Sequence, residues 1–504
     1  MNHLIITAVV MPGVMAALIV LAMRNDLTLA RVFSIAANAV LVLMTGALLW
    51  QASTADPQVY FLGNWPAPFG IVLVLDRLSA LLVTLTAVLG LVVLLYAVGT
   101  GWDARGRHFH ALWQFQLMGV TGAFLTGDAF NLFVFFEILL IASYGLMVHA
   151  GGPGRLRAGV QYVAYNLLGS TLFLFALGTL YAVTGTLNIA DMAGRMAELP
   201  EGDAALARVG AVLLLLVFAV KGALVPLQFW LPATYAMAPG PVAALFAIMT
   251  KVGAYAIIRF GAMVFPPDLP ATGPVWASLL LPAALVTLVL GMVGVLGATG
   301  LARLAAFAAI GSMGTLFLAV APFTPEATAA ALYYLVHSTL AGALLFLVAD
   351  MVTARRGTDT LAVALPPMAQ SGLVAALFFA AAIAAAGMPP LSGFLGKLLV
   401  LDALAGRPDT AILWAAILGT SLVAIVGMAR AGSVIFWKAH ACGEPAEPAP
   451  APALPVVAAF ALVALIALQT VFAGPAMAWL TETAEQVHSG RAYIEANRLA
   501  ALED

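Results

Sequence analysis

Fourteen apolar runs, each close to the roughly twenty residues that cross a hydrocarbon layer, follow one another along this 504-residue chain. They lie near 3–23, 30–52, 71–97, 109–126, 128–149, 158–184, 207–237, 240–264, 275–297, 302–320, 327–350, 370–405, 410–437 and 454–475. Lipid offers the backbone no hydrogen-bond partners, so each run must satisfy its own amides as a helix. The fold class that follows is an all-α polytopic membrane protein with about fourteen transmembrane helices. Composition agrees, since 63% of residues are hydrophobic and only 9% charged, against about a quarter charged in soluble domains. A net charge of −2 offers nothing to nucleic acid. The one cysteine, Cys442, excludes an internal disulfide, a CxxC redox pair and a cysteine-ligated cluster. Neither GxxxxGK[ST] nor GxGxxG after a strand occurs, so no nucleotide site is expected. No cofactor, metal or catalytic residue is expected either, and energy for transport must come from ion gradients or partners.

The first run follows only Met-Asn-His, with no basic region or clear cleavage site, and reads as a retained helix. Basic residues set the orientation. With the N-terminus outside, eleven fall on the cytoplasmic side, Arg105, Arg155, Arg355 and Lys438 among them, against seven outside. The outer loop 185–207 is offset by Asp191, Glu198, Glu201 and Asp203. Both termini then face outward.

The run 207–237 is too long for a simple crossing and contains Pro226 and Pro232; 370–405 is too long as well and contains Gly387, Pro389, Pro390 and Gly393. Both read as broken helices. The first break lies beside Lys221, which sits inside its apolar run, as do Lys251 and Lys397 in theirs. A charge at mid-bilayer costs at least about 2.5–3.5 kcal/mol, so cost and break together suggest a site. Glu137 lies nine residues past Asp128, about 13.5 Å along a helix, hence near mid-membrane, where its natural partner is a buried lysine. At ~4 Å and an effective dielectric of about 20 such a pair attracts by about 4 kcal/mol. Approach and separation would change the affinity of Lys221 for its proton. A purely structural ion pair and a snorkelling lysine are the competing readings. Lys251 is placed to receive a proton from Lys221. His337, the one histidine well inside a run, suits a relay or a packing role. Lys397, after the second break, is a candidate terminal donor, with Asp402 as an exit-side acid. Asp76, Asp128 and Asp350 lie near run ends and read as solvated caps. Gly291, Gly294, Gly297 and Gly300 read as close helix packing.

Runs four to eight and nine to thirteen form two sets of five, each with its broken helix fourth and a lysine at or beside the break. An odd count inverts the second set, the arrangement of an inverted repeat with ion sites at discontinuous helices. The expected units are 1–108 (helices 1–3), 109–265, 275–438, and 439–504 with a proline-rich loop, helix 14 and a tail. Residues 444–455, EPAEPAPAPALP, favour a stiff polyproline II loop. The tail 476–504 reads as a surface helix docking on a partner or as a frayed terminus.

GAFLTGDAFNLFVFFEILLIASYGLMVHAGG (122–152), NLLGSTLFLFALGTLYAVTGTLNIADMA (166–193), VKGALVPLQFWLPATYAMAPGPVAALFAIMTKVGAYAIIRF (220–260) and GMPPLSGFLGK (387–397) resemble the D-type subunits of multisubunit Mrp-type cation/proton antiporters. That family belongs with the antiporter-like, proton-pumping subunits of respiratory complex I. The resemblance spans nearly the whole chain. It implies a fourteen-helix fold with broken helices 7 and 12 and two inverted five-helix repeats. It also implies Glu137, Lys221, Lys251 and Lys397 as the family's helix 5, 7, 8 and 12 residues. The implied function is exchange of external protons for cytoplasmic Na⁺ or K⁺ within a hetero-oligomer of the bacterial inner membrane. The chain would be a secondary-transporter component without catalysis of its own. Two alternatives stand beside it: a redox-driven pump component of a complex I-like dehydrogenase, and a structural scaffold whose polar groups only hold helices together.

Overall fold

Long helices account for most of the computed structural model, which describes residues 3–65, 67–200, 204–443 and 452–499. Helices α1 (His3–Ala22) and α2 (Leu27–Thr54) lead to an antiparallel hairpin of β1 (Gln58–Phe61) and β2 (Val72–Leu75), with Gln58 opposite Leu75 and Phe61 opposite Val72. Then follow α3 (Arg77–Gly99), α4 (Phe109–Leu125), α5 (Ala129–Met147), α6 (Pro153–Thr184), α7 (Ile189–Ala197), α8 (Ala204–Gly222), α9 (Trp230–Met237), α10 (Gly240–Phe246) and α11 (Met249–Met263). The second half holds α12 (Val275–Gly297), α13 (Leu301–Val320), α14 (Pro325–Arg356), α15 (Ser371–Ala386), α16 (Ser392–Ala403) and α17 (Thr410–Gly432). The chain closes with α18 (Ala453–Val471), α19 (Ala473–Ser489) and α20 (Arg491–Leu499).

Among the described residues, twelve helical stretches are long and apolar enough to cross a membrane, counting α10 with α11 as one. Two expected runs fall outside that set: α4, with 17 residues, and the interrupted α15–α16. Both overlong runs are broken where proline predicted, across 223–229 and 387–391. The hairpin and α7 went unforeseen. Helix α7 starts where the Asn188 side chain accepts hydrogen bonds from Ala190 N (3.0 Å) and Asp191 N (3.1 Å).

Burial orders the bundle. The α10–α11 stretch is wholly interior and α14 nearly so, whereas in α1, α2, α6, α12, α17 and α18 only a minority of residues are buried. Close packing at the glycine series holds in part. A Cβ at Gly291 would collide with the backbone of Gly311 on α13 and one at Gly294 with Phe307, while Gly297 faces open space.

Two sequence expectations need correction. Asp76 and Asp128 do cap helices, accepting from Ser79 N (2.8 Å) and Asn131 N (2.7 Å), but neither is solvated: both are buried. Asp76 forms an interior ion pair with Arg259 (2.6 Å). Asp350 is no cap at all; it accepts hydrogen bonds from Tyr96 and Trp102. The tail explains part of this burial. It neither frays nor stands free over its described length: α19 packs on α14, α11 and α3, and the Tyr493 ring of α20 lies 4.8 Å from the Arg259 guanidinium. Most of the expected proline-rich loop, residues 444–451, lies outside the described residues, as do Glu201, Asp203 and the tail beyond 499.

Candidate functional site

Lys221 stands in the last turn of α8, at the edge of the first break. Ending a helix in an apolar interior frees backbone groups that must find partners. Here Trp230 Nε1 donates to Val220 O (3.0 Å), and Val225 N donates to Thr287 Oγ1 on α12 (2.9 Å). Pro226 lies within this connection and supplies no amide hydrogen. The lysine is 3% exposed, and its amine has no hydrogen-bond partner among the described residues. It faces the Phe136 ring of α5, with Nζ 5.6 Å from the centroid.

Glu137, next to Phe136, does not pair with that lysine. Half-buried, its carboxylate accepts a short hydrogen bond from Ser170 Oγ on α6. The expected ion pair gives way to a carboxylate held by a hydroxyl and a lysine turned to an aromatic face. A cavity of about 10 Å³ beside Lys221 is lined by Phe136, Asn166 and Ser170 among others; that is near the lower limit for one water.

Lys251 lies on α11, just past its junction with α10. The chain tightens there through Ile248 N to Leu245 O (3.2 Å) and Lys251 N to Ile248 O (3.0 Å), without any proline to announce it. Lys251 is 2% exposed, and among the described residues its amine hydrogen-bonds only to Met313 Sδ on α13, at 3.2 Å; a thioether is a weak acceptor. Gly253, two residues on, lets α11 touch the turn that carries Lys221. A Cβ there would lie 2.7 Å from Gly222 N and 2.8 Å from Phe218 O.

The second half builds a related arrangement. His337 on α14 hydrogen-bonds through Nδ1 to Ser392 Oγ (2.8 Å), at the start of α16. Gly393 follows, and a Cβ on it would clash with Ala384 O and approach His337 Nε2 to 2.8 Å. Pro389 and Pro390 occupy the break, which strands the carbonyl of Ala386 at the end of α15. Lys397 Nζ takes up that carbonyl (2.8 Å) and Ser421 Oγ of α17 (2.8 Å). Lys397 thus ties the two pieces of the broken helix together. Asp402 is exposed at the far end of α16.

All five sequence-selected groups therefore lie within the bundle, Glu137 only half-buried. The fold joins Glu137 to Lys221 through α5, α6 and α8, Lys221 to Lys251 through the α8–α11 contact, and His337 to Lys397 through α16. Sequence reasoning missed their direct partners: Ser170, Met313, Ser392 and Ser421. The three serines are hydroxyls inside apolar runs, Ser170 and Ser421 each beside a threonine, and that was the one signal that pointed to them.

The profile of the family described as NADH:quinone oxidoreductase/Mrp antiporter, transmembrane part, matches residues 126–424, which contain all five groups. The chain belongs to this family. It is 38% identical to the D-type subunit of a probable K⁺/H⁺ antiporter of Rhizobium meliloti (strain 1021), over 87% of each chain. It is 39% identical to the D-type subunit of the Na⁺/H⁺ antiporter of Bacillus subtilis (strain 168), over 80% of each. Its fold superposes on one polypeptide in the structure of the Mrp complex from Dietzia sp. DQ12-45-1b with a TM-score of 0.87 and 27% identity, covering 99% of this chain and 100% of that one. By membership the protein is a membrane-embedded transporter component rather than an enzyme.

Proposed function

We propose that this chain is the proton-translocating component of a multisubunit monovalent cation/proton antiporter, exchanging external H⁺ for cytoplasmic Na⁺ or K⁺. Strong identity to the D-type subunits of both a K⁺/H⁺ and a Na⁺/H⁺ antiporter supports the reaction class. The observation that carries the mechanism is three buried lysines with no carboxylate in ion-pair reach among the described residues. A permanently charged lysine in that setting is costly, and a lysine that gains and loses its proton is the functional use of the position. Protons pass between Glu137, Lys221, Lys251, His337 and Lys397, with Ser170 and Ser392 as hydroxyl bridges. The chain has fourteen crossings, counting α4 and the interrupted α15–α16. Units 109–265 and 275–438 are inverted repeats, with Pro226 and with Pro389 and Pro390 at their breaks. In each unit a side chain donates to a carbonyl at the break: Trp230 to Val220 O and Lys397 to Ala386 O. The chain sits in the bacterial inner membrane with both termini outside. The scaffold reading is disfavoured because, among the described residues, Lys221 and Lys251 form no ion pair that would hold helices together.

Everted vesicles carrying the whole complex test this. Lys221→Ala, assembled normally, is expected to abolish Na⁺- or K⁺-dependent recovery of ΔpH; normal recovery would sink the relay. Because the family also includes NADH:quinone oxidoreductase subunits, the proteins that co-purify in mild detergent separate antiporter from redox pump.

A further inference from the structure

Two cavities outside the lysine–histidine chain meet at one carboxylate. The larger, about 520 Å³, opens between Tyr96, Trp102, Arg105, Asp350 and Arg355. The smaller, about 200 Å³, is lined by Tyr235, Gly240 and Phe346 among others and shares Asp350 and Trp102 with the first. Asp350 lies in the last two turns of α14, thirteen residues beyond His337, or about 20 Å along the helix. Its carboxylate accepts from Tyr96 Oη (2.8 Å) and from Trp102 Nε1 (3.0 and 3.1 Å). Gly240, the first residue of α10, packs so tightly on it that a Cβ there would clash with the aspartate side chain. Eleven residues on, the same crossing carries Lys251. A single acid thus touches both helices that hold the central lysine and histidine.

The charged neighbours bond to other groups and act on Asp350 only at a distance. Arg105 stacks on Trp102 at 4.0 Å. Arg155 donates to the carbonyls of Met237, His149 and Gly151. Arg355 donates to Met351 O and Gln370 Oε1. Asp359, across the smaller cavity, accepts from Ala302 N, and the Tyr235 hydroxyl donates to Phe246 O. Among the described residues no lysine, arginine or histidine reaches Asp350 as an ion pair. Tyr96 and Trp102 are neutral donors, so they orient the carboxylate without neutralising it. A carboxylate with oriented neutral donors, no cationic side chain in ion-pair reach among the described residues and a face on space wide enough for water is built to take and return a proton.

We propose that Asp350 is the carboxylate through which protons pass between the buried lysine–histidine chain and water on the arginine-rich, cytoplasmic face. The proposal rests on the antiporter reading above. It assigns Asp350 more than the acceptor role for Tyr96 and Trp102, because asparagine could accept both hydrogen bonds but could not carry the proton.

Everted vesicles turn this face toward the medium, so the whole complex can be assayed as medium pH is varied. Asp350→Asn is expected to slow cation-dependent ΔpH recovery by about a hundredfold with assembly intact. Asp350→Glu is expected to restore much of the rate with a displaced pH profile. Should Asp350→Asn fail to assemble, the displaced profile of Asp350→Glu carries the test. Wild-type rate and profile in Asp350→Asn would overturn the proposal and leave the antiporter reading standing. Equal losses in both variants with an unchanged profile would reduce Asp350 to a structural acceptor. A wild-type complex without cation-dependent exchange would remove the antiporter reading, and this proposal with it.

Discussion

Buried charge takes two opposite forms in this chain, and they predict opposite responses to the same substitution. Arg259 and Asp76 are 1% and 2% exposed and lie 2.6 Å apart, with Tyr493 and Tyr255 flanking the guanidinium. Arg259→Met leaves a buried carboxylate unpaired, a loss of about 3–5 kcal/mol, to be read as a lower unfolding temperature of the purified complex. Lys221 has no such partner. Lys221→Met replaces an amine without a hydrogen bond by an apolar chain of similar length, which is neutral or stabilising in such settings. It is expected to keep the unfolding temperature and lose exchange. A fall in both would mean that Lys221 serves packing rather than proton transfer. A third buried charge sits between spans. Burial pushes the Asp103 carboxyl up, but hydrogen bonds from His110 and Arg31 outweigh that and hold it below the usual carboxylate range. A depressed folded-state value means that the Arg31–Asp103 link stabilises at neutral pH and is lost as pH falls through the acidic range. Asp103→Asn should therefore flatten the acid limb of the complex's stability profile, and an unchanged limb would count against the link.

The interrupted helices hold the proposed proton-carrying lysines, and the interruptions are stabilised from other elements. At the first break the Val225 amide would be orphaned without Thr287. Thr287→Val should cost about 1–3 kcal/mol and weaken exchange by disturbing the turn beside Lys221, whereas Thr287→Ser keeps the hydroxyl and should behave as wild type in both assays. How far the elements were legible in the sequence follows from what is local. Apolar runs set helix existence, and Pro226, Pro389 and Pro390 mark two breaks, because a missing amide acts on its own helix. The tightening between α10 and α11 has no proline to mark it in the sequence. The same limit governs the site. Charged groups stand out in an apolar run, so Glu137 and the lysines could be named. Their partners are set by tertiary contacts, with Ser170 33 residues from Glu137, Met313 62 from Lys251 and Ser392 55 from His337. Pairing Glu137 with Lys221 followed from charge alone and did not foresee a closer hydroxyl.

For the whole molecule, an interior of α10, α11 and α14 is wrapped by helices that expose apolar side chains, such as Ile141 on α5, Val160 and Phe175 on α6, and Leu418 on α17. A bundle of this kind needs lipid or other subunits around it, and the half-buried Glu137 near the α6 flank argues for protein there, since a carboxylate at that depth is poorly served by acyl chains. Which face looks into the cell decides what every polar group does: whether Asp350 meets cytoplasmic water, and whether protons enter near Asp402 or leave there. The proposed orientation, argued from the arginine distribution, has the loop after α17 on the cytoplasmic side. That loop supplies its own reporter, because Cys442 is the chain's one cysteine and it is exposed. A membrane-impermeant maleimide should label this chain in everted vesicles and leave it unlabelled in intact cells, with Cys442→Ser removing the signal. The reverse pattern would turn the molecule over, carry both termini to the inside, and move the cavities at Asp350 to the outer surface, where they would serve proton entry rather than release.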